Sequence, residues 1–306
     1  MRVHMVREPE PPVRDQLVDS LKEVAPVSFG PAIDPLTTVL VEGQLKPEHM
    51  EAAPKVEHVI IPFAGLQPKT KEVLLKYPGV KVYNLHHNAS ATAEMAMALL
   101  LACARRIVGL HNGFCHDDWE PRYFSRDALG LFGKNVVVLG FGEIGQRVGR
   151  MCEGFGMKVV GVTSQNVGDL RSLLPTADYL VVTAPLTPAT EGLVGAEEIG
   201  LLPSNAVVVN VGRGKVIDEG ALFAALKEER IDSAGLDVWW QYPRSPEEKV
   251  SPSAHPFGSL RNVVMTPHVG GGWREAEPAR MAALADLLRQ IASGGSPRTL
   301  DIERGY

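Results

Sequence analysis

The sequence predicts an α/β protein: an open, doubly wound parallel sheet accompanied by a second, smaller α/β domain. Three observations predict it. Short, wholly apolar strand candidates alternate with helical and loop stretches along most of the chain, and strands without polar alternation are covered on both faces, as in an open parallel sheet. One of them, Val136-Val137-Val138-Leu139, runs straight into Gly140-Phe141-Gly142-Glu143-Ile144-Gly145, after which Ile144, Val148 and Phe155 recur at helical spacing. The chain has 306 residues of ordinary globular composition, enough to build two cores.

In chain order, strands are expected at Val3–Val6, Thr38–Val41, His58–Ile61 and Val80–Tyr83, with helices near Val13–Val24, Pro47–Ala52 and Pro68–Tyr77. Pro47 and Pro68 suit first-turn positions, where no N–H is missed. A long helix from about Ser90 to Val108 is apolar or small on nearly every side, so it must be buried, by this subunit or another. A polar, aromatic loop from His116 to Tyr123 leads to the glycine turn. Five further strands follow at Val159–Val162, Tyr179–Val182, Ala206–Val209, Ala234–Val238 and Val263–Met265. With Val136–Leu139 they make six, the count of a full dinucleotide-binding (Rossmann) domain. The last helix, Glu275–Ala292, is expected to return to the first domain. The boundaries drawn are therefore 1–87 with 275–306 for the smaller domain and 88–274 for the larger.

Composition excludes several classes. The formal net charge is -5 and no Lys/Arg-rich block occurs, so there is no electrostatic footprint for nucleic acid. No apolar run reaches the roughly 18 residues of a membrane span, and the N-terminus reads as a strand rather than a signal segment. The three cysteines, Cys103, Cys115 and Cys152, lack metal-ligand spacing, and no metal is expected. Cys103 and Cys152 fall in apolar helical patterns and read as buried free thiols, which fits a cytoplasmic protein.

The chemistry is expected where strands end. In the glycine turn, Gly140 permits the tight bend, Gly142 leaves the backbone open to a pyrophosphate and Gly145 lets the helix pack close. Phosphate charges would sit at a helix N-terminus, whose free N–H groups favour anions, with Glu143 and Ile144 in the contact set. Four more segments lie just past strand ends. The first, Ala184-Pro185-Leu186-Thr187-Pro188-Ala189-Thr190, offers Ala184, Pro185 and Thr190 as cofactor contacts. The second, Asn210-Val211-Gly212-Arg213-Gly214, offers Val211, Gly212 and Arg213. The third, Leu236-Asp237-Val238, places a carboxylate where it is poorly solvated. The fourth, Thr266-Pro267-His268-Val269-Gly270, offers His268 and Gly270. Taken singly, each reads equally well as a plain loop, a surface arginine, a cap or a structural histidine. Together they put a planar cation suited to a carboxylate, a group that titrates near neutrality and a dinucleotide site on one rim. That combination implies hydride transfer at a carbon next to a carboxylate, with Arg213 as the clamp and His268 as the proton carrier.

These motifs, in this order from Ala93-Glu94 to Thr266-Pro267-His268, resemble those of the D-isomer-specific 2-hydroxyacid dehydrogenases. The resemblance implies a Rossmann cofactor domain and a smaller flavodoxin-like substrate domain with the cleft between them. It also implies a homodimer joined through the helix after Ser90, and conversion of a 2-oxoacid and NAD(P)H to a D-2-hydroxyacid. In that reading Arg213 and the backbone N–H groups of Phe63-Ala64-Gly65-Leu66 hold the substrate carboxylate, Asp237 meets the nicotinamide amide and His268 is the acid/base.

Two departures stand out. The glutamate usual five residues after the aspartate is Tyr242 here, so His268 is expected to titrate low; Glu247 and Glu248 are the nearest acids in sequence. The acid usual at the end of the second strand is replaced by Thr163-Ser164-Gln165-Asn166, which would face the adenosine ribose; NAD is the reading and NADP the alternative. His86-His87-Asn88 reads as a polar hinge, and Trp119, Trp240 and Trp273 are candidate pocket walls. Trp239 and Trp240 would point opposite ways if their strand continued. The alternative to an active enzyme is an NAD(H)-binding scaffold or sensor of the same fold with impaired catalysis; a formate-type donor is a third reading.

Overall fold

The structure is a computed structural model and describes residues 1–125 and 127–304. The chain divides into two compact units, Met1–Asn88 with the segment from Trp273 onward, and Ala89–Gly272.

The first unit runs β1 (Val3–Met5), α1 (Pro11–Leu21), β2 (Val27–Phe29), β3 (Val39–Val41), α2 (Pro47–Ala52), β4 (His58–Ile61), α3 (Pro68–Leu74) and β5 (Lys81–Asn84). All its strand pairs are parallel and the order is β2-β1-β3-β4-β5, that of flavodoxin. Alternate residues of each strand enter opposite layers. Val39, Val41, Ile60 and Tyr83 pack with Leu17 and Leu21 of α1 and with Leu284 and Leu288 of the C-terminal helix, Ala276–Ala292. Leu40, Val59, Ile61 and Val82 pack with Met50 of α2 and with Val73 and Leu74 of α3. The edge strand β2 escapes a reading by periodicity, because its three residues, Val-Ser-Phe, are too few to show one.

The second unit begins with α4 (Ala89–Ala104), α5 (Ile107–Phe114) and α6 (Glu120–Phe124). The sequence suggested one helix through Val108; instead Arg106 takes a left-handed φ of 57° and its guanidinium bonds Asp232 at 2.5 Å, breaking the helix after Ala104. Then come β6 (Asn135–Leu139), α7 (Glu143–Gly154), β7 (Lys158–Val162), α8 (Leu170–Leu173), β8 (Tyr179–Val182), α9 (Ala196–Leu201), β9 (Val207–Asn210), α10 (Glu219–Lys227), β10 (Ser233–Leu236) and β11 (Val263–Met265). The six strands are parallel, in the order β11-β10-β9-β8-β6-β7. The count matches a full Rossmann sheet, but the order does not: among the described residues no strand lies outside β7. The link from β7 to β8 holds only short helical turns, so β7 is an edge.

Both faces of this sheet are covered. Val136, Val138, Tyr179, Val181, Val207 and Val209 pack with Leu99, Leu100 and Cys103 of α4 and with Val148 and Cys152 of α7. Val137, Leu139, Leu180, Val182, Val208 and Leu236 pack with Ile199 of α9 and with Leu222 and Leu226 of α10. Most of the apolar residues of α4 are thus buried inside its own unit, while Ala98 is exposed and Met95, Leu101 and Ala102 are half-buried. Cys103 and Cys152 are free and buried, and burial pushes both thiols up to about 12. Among the described residues no helix is long and apolar enough to cross a membrane.

Leu180 is fully buried in central strand β8. Leu180→Ala should lower the unfolding free energy of this unit by about 2–5 kcal/mol, read by urea denaturation followed through tryptophan fluorescence.

Candidate active site

β6 and β8 are neighbours from which the sheet continues in opposite directions, and ligands of open α/β sheets bind outside the carboxyl ends at such a switch point. The glycine turn sits there. Gly140 has φ +98°, and a Cβ at this residue would lie 2.5 Å from the Ala184 nitrogen, so the turn presses against the exit of β8. Its N–H and that of Phe141 donate to Val162 O at 2.8 and 3.0 Å, tying the turn to the end of β7. The Thr183 hydroxyl donates to Gly140 O at 2.6 Å. A Cβ on Gly145 would collide with Gly140 O, whereas one on Gly142 would meet nothing within 4 Å. Gly142 caps α7, and the N–H groups of Ile144 and Gly145 lie in its first turn, beyond the reach of an intrahelical acceptor. A packed turn, an open side at Gly142 and free helix N–H groups fit the pyrophosphate of a dinucleotide.

The other segments gather on the same edge of the sheet. Thr190 staples its own loop: its hydroxyl donates to Pro185 O at 2.6 Å and accepts the Thr187 N–H at 2.8 Å. At the end of β9 the buried Asn210 braces the arginine turn, Oδ1 accepting from Gly212 N at 3.0 Å and Nδ2 donating to Arg213 O at 3.0 Å. Arg213 is half-buried and donates from Nη1 to Gly212 O at 2.6 Å; burial holds its pKa below the usual value. Asn210 was within a recognised motif but had no role there. Its signal is a polar residue at the buried end of an apolar strand, followed by glycine.

Asp237, 1% exposed, follows β10. Its Oδ1 accepts from the Thr266 hydroxyl at 2.6 Å and from Val269 N at 3.0 Å, and its Oδ2 from Gly270 N at 2.9 Å. A Cβ on Gly270 would stand 2.7 Å from Oδ2, so only glycine brings that N–H close. Any nicotinamide amide must therefore share a carboxylate already engaged by the loop. Between these anchors His268 takes φ +58°, rare for a residue with a side chain.

His268 lies at the exposed rim, its ring 5.4 Å from that of Tyr242 and tilted 55° to it. Desolvation and then the Arg213 charge hold its pKa below 6.5, with Asp237 opposing. Neither Glu247 nor Glu248 acts on it, and Glu248 instead accepts the Arg244 N–H at 2.5 Å. The Tyr242 hydroxyl accepts the Trp239 N–H at 2.9 Å; burial raises its pKa while Arg213 lowers it. The structure therefore places Arg213, Asp237, Tyr242 and His268 within electrostatic reach of one another.

The tryptophans depart from expectation. β10 stops at Leu236, so no strand sends Trp239 and Trp240 to opposite faces. Both pack beside Phe257 in one core cluster; Trp239 donates to Thr266 O at 2.9 Å and Trp240 to Ile217 O at 3.0 Å. Trp240 is thus a core residue rather than a pocket wall, and Trp119 packs edge-on against Phe114. Within the first unit the loop after β4 is half-buried, with Phe63 and Leu66 packed into the core and Ala64 O accepting from Asn84 at 2.7 Å. Trp273 sits 6.1 Å from the ring of His87. Burial, Arg280 and His86 push His87 down to about 4, so it is neutral at pH 7; its Nδ1 and Arg280 Nε are buried without hydrogen-bond partners.

This fold and site define a dinucleotide-dependent oxidoreductase. The family model for the D-isomer specific 2-hydroxyacid dehydrogenase NAD-binding domain matches residues 97–270. The glyoxylate reductase of Thermococcus litoralis is 32% identical, across 97% of this chain and 89% of its own length. An NAD-complexed D-isomer specific 2-hydroxyacid dehydrogenase of Lactobacillus delbrueckii ssp. bulgaricus superposes with a TM-score of 0.77, at 21% identity, covering 98% of this chain and 100% of the other. An acyclic imino acid reductase in complex with NADPH and D-Arg also gives 0.77, at 22% identity, with coverage of 98% and 100%. The chain belongs to the D-isomer specific 2-hydroxyacid dehydrogenase family. It is an NAD(P)-dependent oxidoreductase of 2-oxoacids and 2-hydroxyacids.

Asp237→Ala should release three donors at once, lowering unfolding free energy by on the order of 3 kcal/mol in urea denaturation. It should also move the imidazole titration of His268, read by NMR, because both the loop clamp and the opposing charge are removed.

Proposed function

We propose that the enzyme reduces 2-oxoacids to D-2-hydroxyacids, with Arg213 holding the substrate carboxylate and His268 delivering the proton. The observation that supports this is the convergence of Arg213, Tyr242 and His268 at strand ends of the sheet that carries the glycine turn. A bound nicotinamide coenzyme supplies the hydride in reduction and accepts it in oxidation. Arg213, fixed by the Asn210-braced turn, fits a carboxylate through its planar fork and adds positive charge beside the carbonyl oxygen. His268, as imidazolium, gives its proton to that oxygen while alkoxide character develops. In the first unit, Ala64, Gly65 and Leu66 of the loop after β4 are proposed as substrate-binding residues through their main-chain N–H groups. The relatives' names favour a small 2-oxoacid of the glyoxylate kind.

Tyr242 stands in for the absent carboxylate partner. A phenol is neutral at pH 7 and cannot stabilise imidazolium as a carboxylate does. The proton-donating form of His268 thus thins out from below pH 6.5 upward, while the neutral form needed for oxidation is already dominant at pH 7.

His268→Ala should cost 10²–10⁴-fold in kcat for reduction, roughly the contribution of a positioned acid. Arg213→Lys should cost on the order of a hundredfold in kcat/KM through misplacement of the substrate. Wild-type turnover of a panel of 2-oxoacids no faster than that of His268→Ala would leave only a coenzyme-binding scaffold. Reduction kcat/KM should fall about tenfold per pH unit above the His268 pKa, and Tyr242→Glu should carry that limb to higher pH. A wild-type reduction profile flat beyond pH 8, with chemistry limiting, would contradict the assignment.

We also propose a homodimer. The proposed seam runs along the open side of α4, at Ala98, Leu101 and Ala102, and on into α5 and α6. Helix α5 buries none of its own residues, and Phe114 and Phe124 are 54% and 76% exposed. Burying such a surface against a second copy is strongly favoured. Leu110→Asp with Phe114→Asp should yield a monomer by analytical ultracentrifugation. The buried free thiols suit a reducing compartment such as the cytoplasm.

A further inference from the structure

We infer that the adenosine end of the site does not discriminate between NAD(H) and NADP(H), because a neutral Thr163–Asn166 lock on an open sheet edge takes the place of a selecting charge. The inference rests on coenzyme binding by the glycine turn. In doubly wound sheets an acid about 20 residues past the turn takes the ribose hydroxyls, and its charge excludes a 2′-phosphate; an arginine there recruits one. The hydrogen bonds from Gly140 and Phe141 to Val162 O fix which residue stands next to the turn: Thr163.

That position is occupied by uncharged groups bound to one another. Asn166 Oδ1 accepts the Thr163 N–H at 2.7 Å and the Thr163 hydroxyl at 3.0 Å. Thr163 Oγ1 accepts the Gln165 N–H at 3.2 Å, and Asn166 Nδ2 donates to Gly161 O at 3.2 Å. From Thr163 to Gly168 the sequence holds neither an acid nor a base. The charged residues at the start of α7, Glu143 and Arg147, pair with each other at 2.7 Å. Ser164 and Gln165 are exposed, and a hydroxyl and an amide serve a ribose hydroxyl or a phosphate equally.

Topology is the second, independent support. Among the described residues no strand flanks β7 on its outer side, and Val160 on that strand is 39% exposed. A 2′-phosphate at the tip of an edge strand keeps much of its water, so binding it carries little desolvation cost. A carboxylate about 5 Å away would have imposed a preference on the order of a hundredfold at an effective dielectric near 20. Without it the two coenzymes are left nearly level.

The test is direct titration of the protein with NADH and with NADPH at fixed salt, following tryptophan quenching or heat. The two dissociation constants should agree within about tenfold; a larger ratio in either direction overturns the inference. Thr163→Asp should weaken NADPH by on the order of a hundredfold and NADH by far less. Should that variant disturb the turn and weaken both alike, the exposed Ser164→Arg decides: it should tighten NADPH alone, and no gain overturns the inference. Binding of both coenzymes without turnover of any 2-oxoacid would count against the proposed function and leave this inference intact.

Discussion

The Asp237 carboxylate is out of water and holds two loop N–H groups and the Thr266 hydroxyl. A buried charge persists only when its lone pairs are taken, so the chain around His268 has little freedom. The left-handed φ of His268 is one result, the need for glycine at 270 another. The same carboxylate partly offsets the Arg213 charge felt by the imidazole. Geometry and proton affinity at the rim therefore descend from one residue at the end of β10. Asn210 does the comparable work at the end of β9, with an amide instead of a charge.

Much of this was legible from residues alone. Apolar strands read well because burial on both faces removes polar alternation, and β4 and β8 lie where the pattern places them. The positions of the rim residues were legible because glycine, arginine, aspartate and histidine each fall within a few residues of the carboxyl end of an apolar strand. What stayed hidden depends on partners distant in sequence. The break at Arg106 requires Asp232, 126 residues away. The brace on the His268 loop requires Thr266 and Asp237 together. The edge position of β7 reflects a strand that the short 163–178 link leaves no length to form, and a count of six strands cannot reveal their order. Trp240 read as a candidate pocket wall, whereas its N–H bonds a main-chain carbonyl inside the core.

The electrostatics of the rim follow from what Tyr242 can and cannot supply. Its ring shields one side of His268, and its oxygen is already an acceptor for the Trp239 N–H. It contributes a neighbouring ring but no negative charge. With Arg213 close by, the neutral imidazole is favoured. In the proposed role of His268 this arrangement suits proton uptake from a hydroxyacid at neutral pH and favours proton delivery under more acidic conditions.

The outer side of β7 has a structural consequence unrelated to coenzymes. Among the described residues its backbone donors and acceptors on that side have no ladder partner, and such a border can template the addition of a foreign strand. Lys158 at its start, Gly161 near its end and a length of only five residues all weaken that template. A cation resists stacking against its own copy, and glycine gives a pairing strand nothing to grip. Exchanging Lys158 alone for a β-branched apolar residue would leave the fold's interior nearly untouched, yet turn a solvated border into a nucleus for self-association, whereas any side chain at Gly161 would collide with the Phe141 ring.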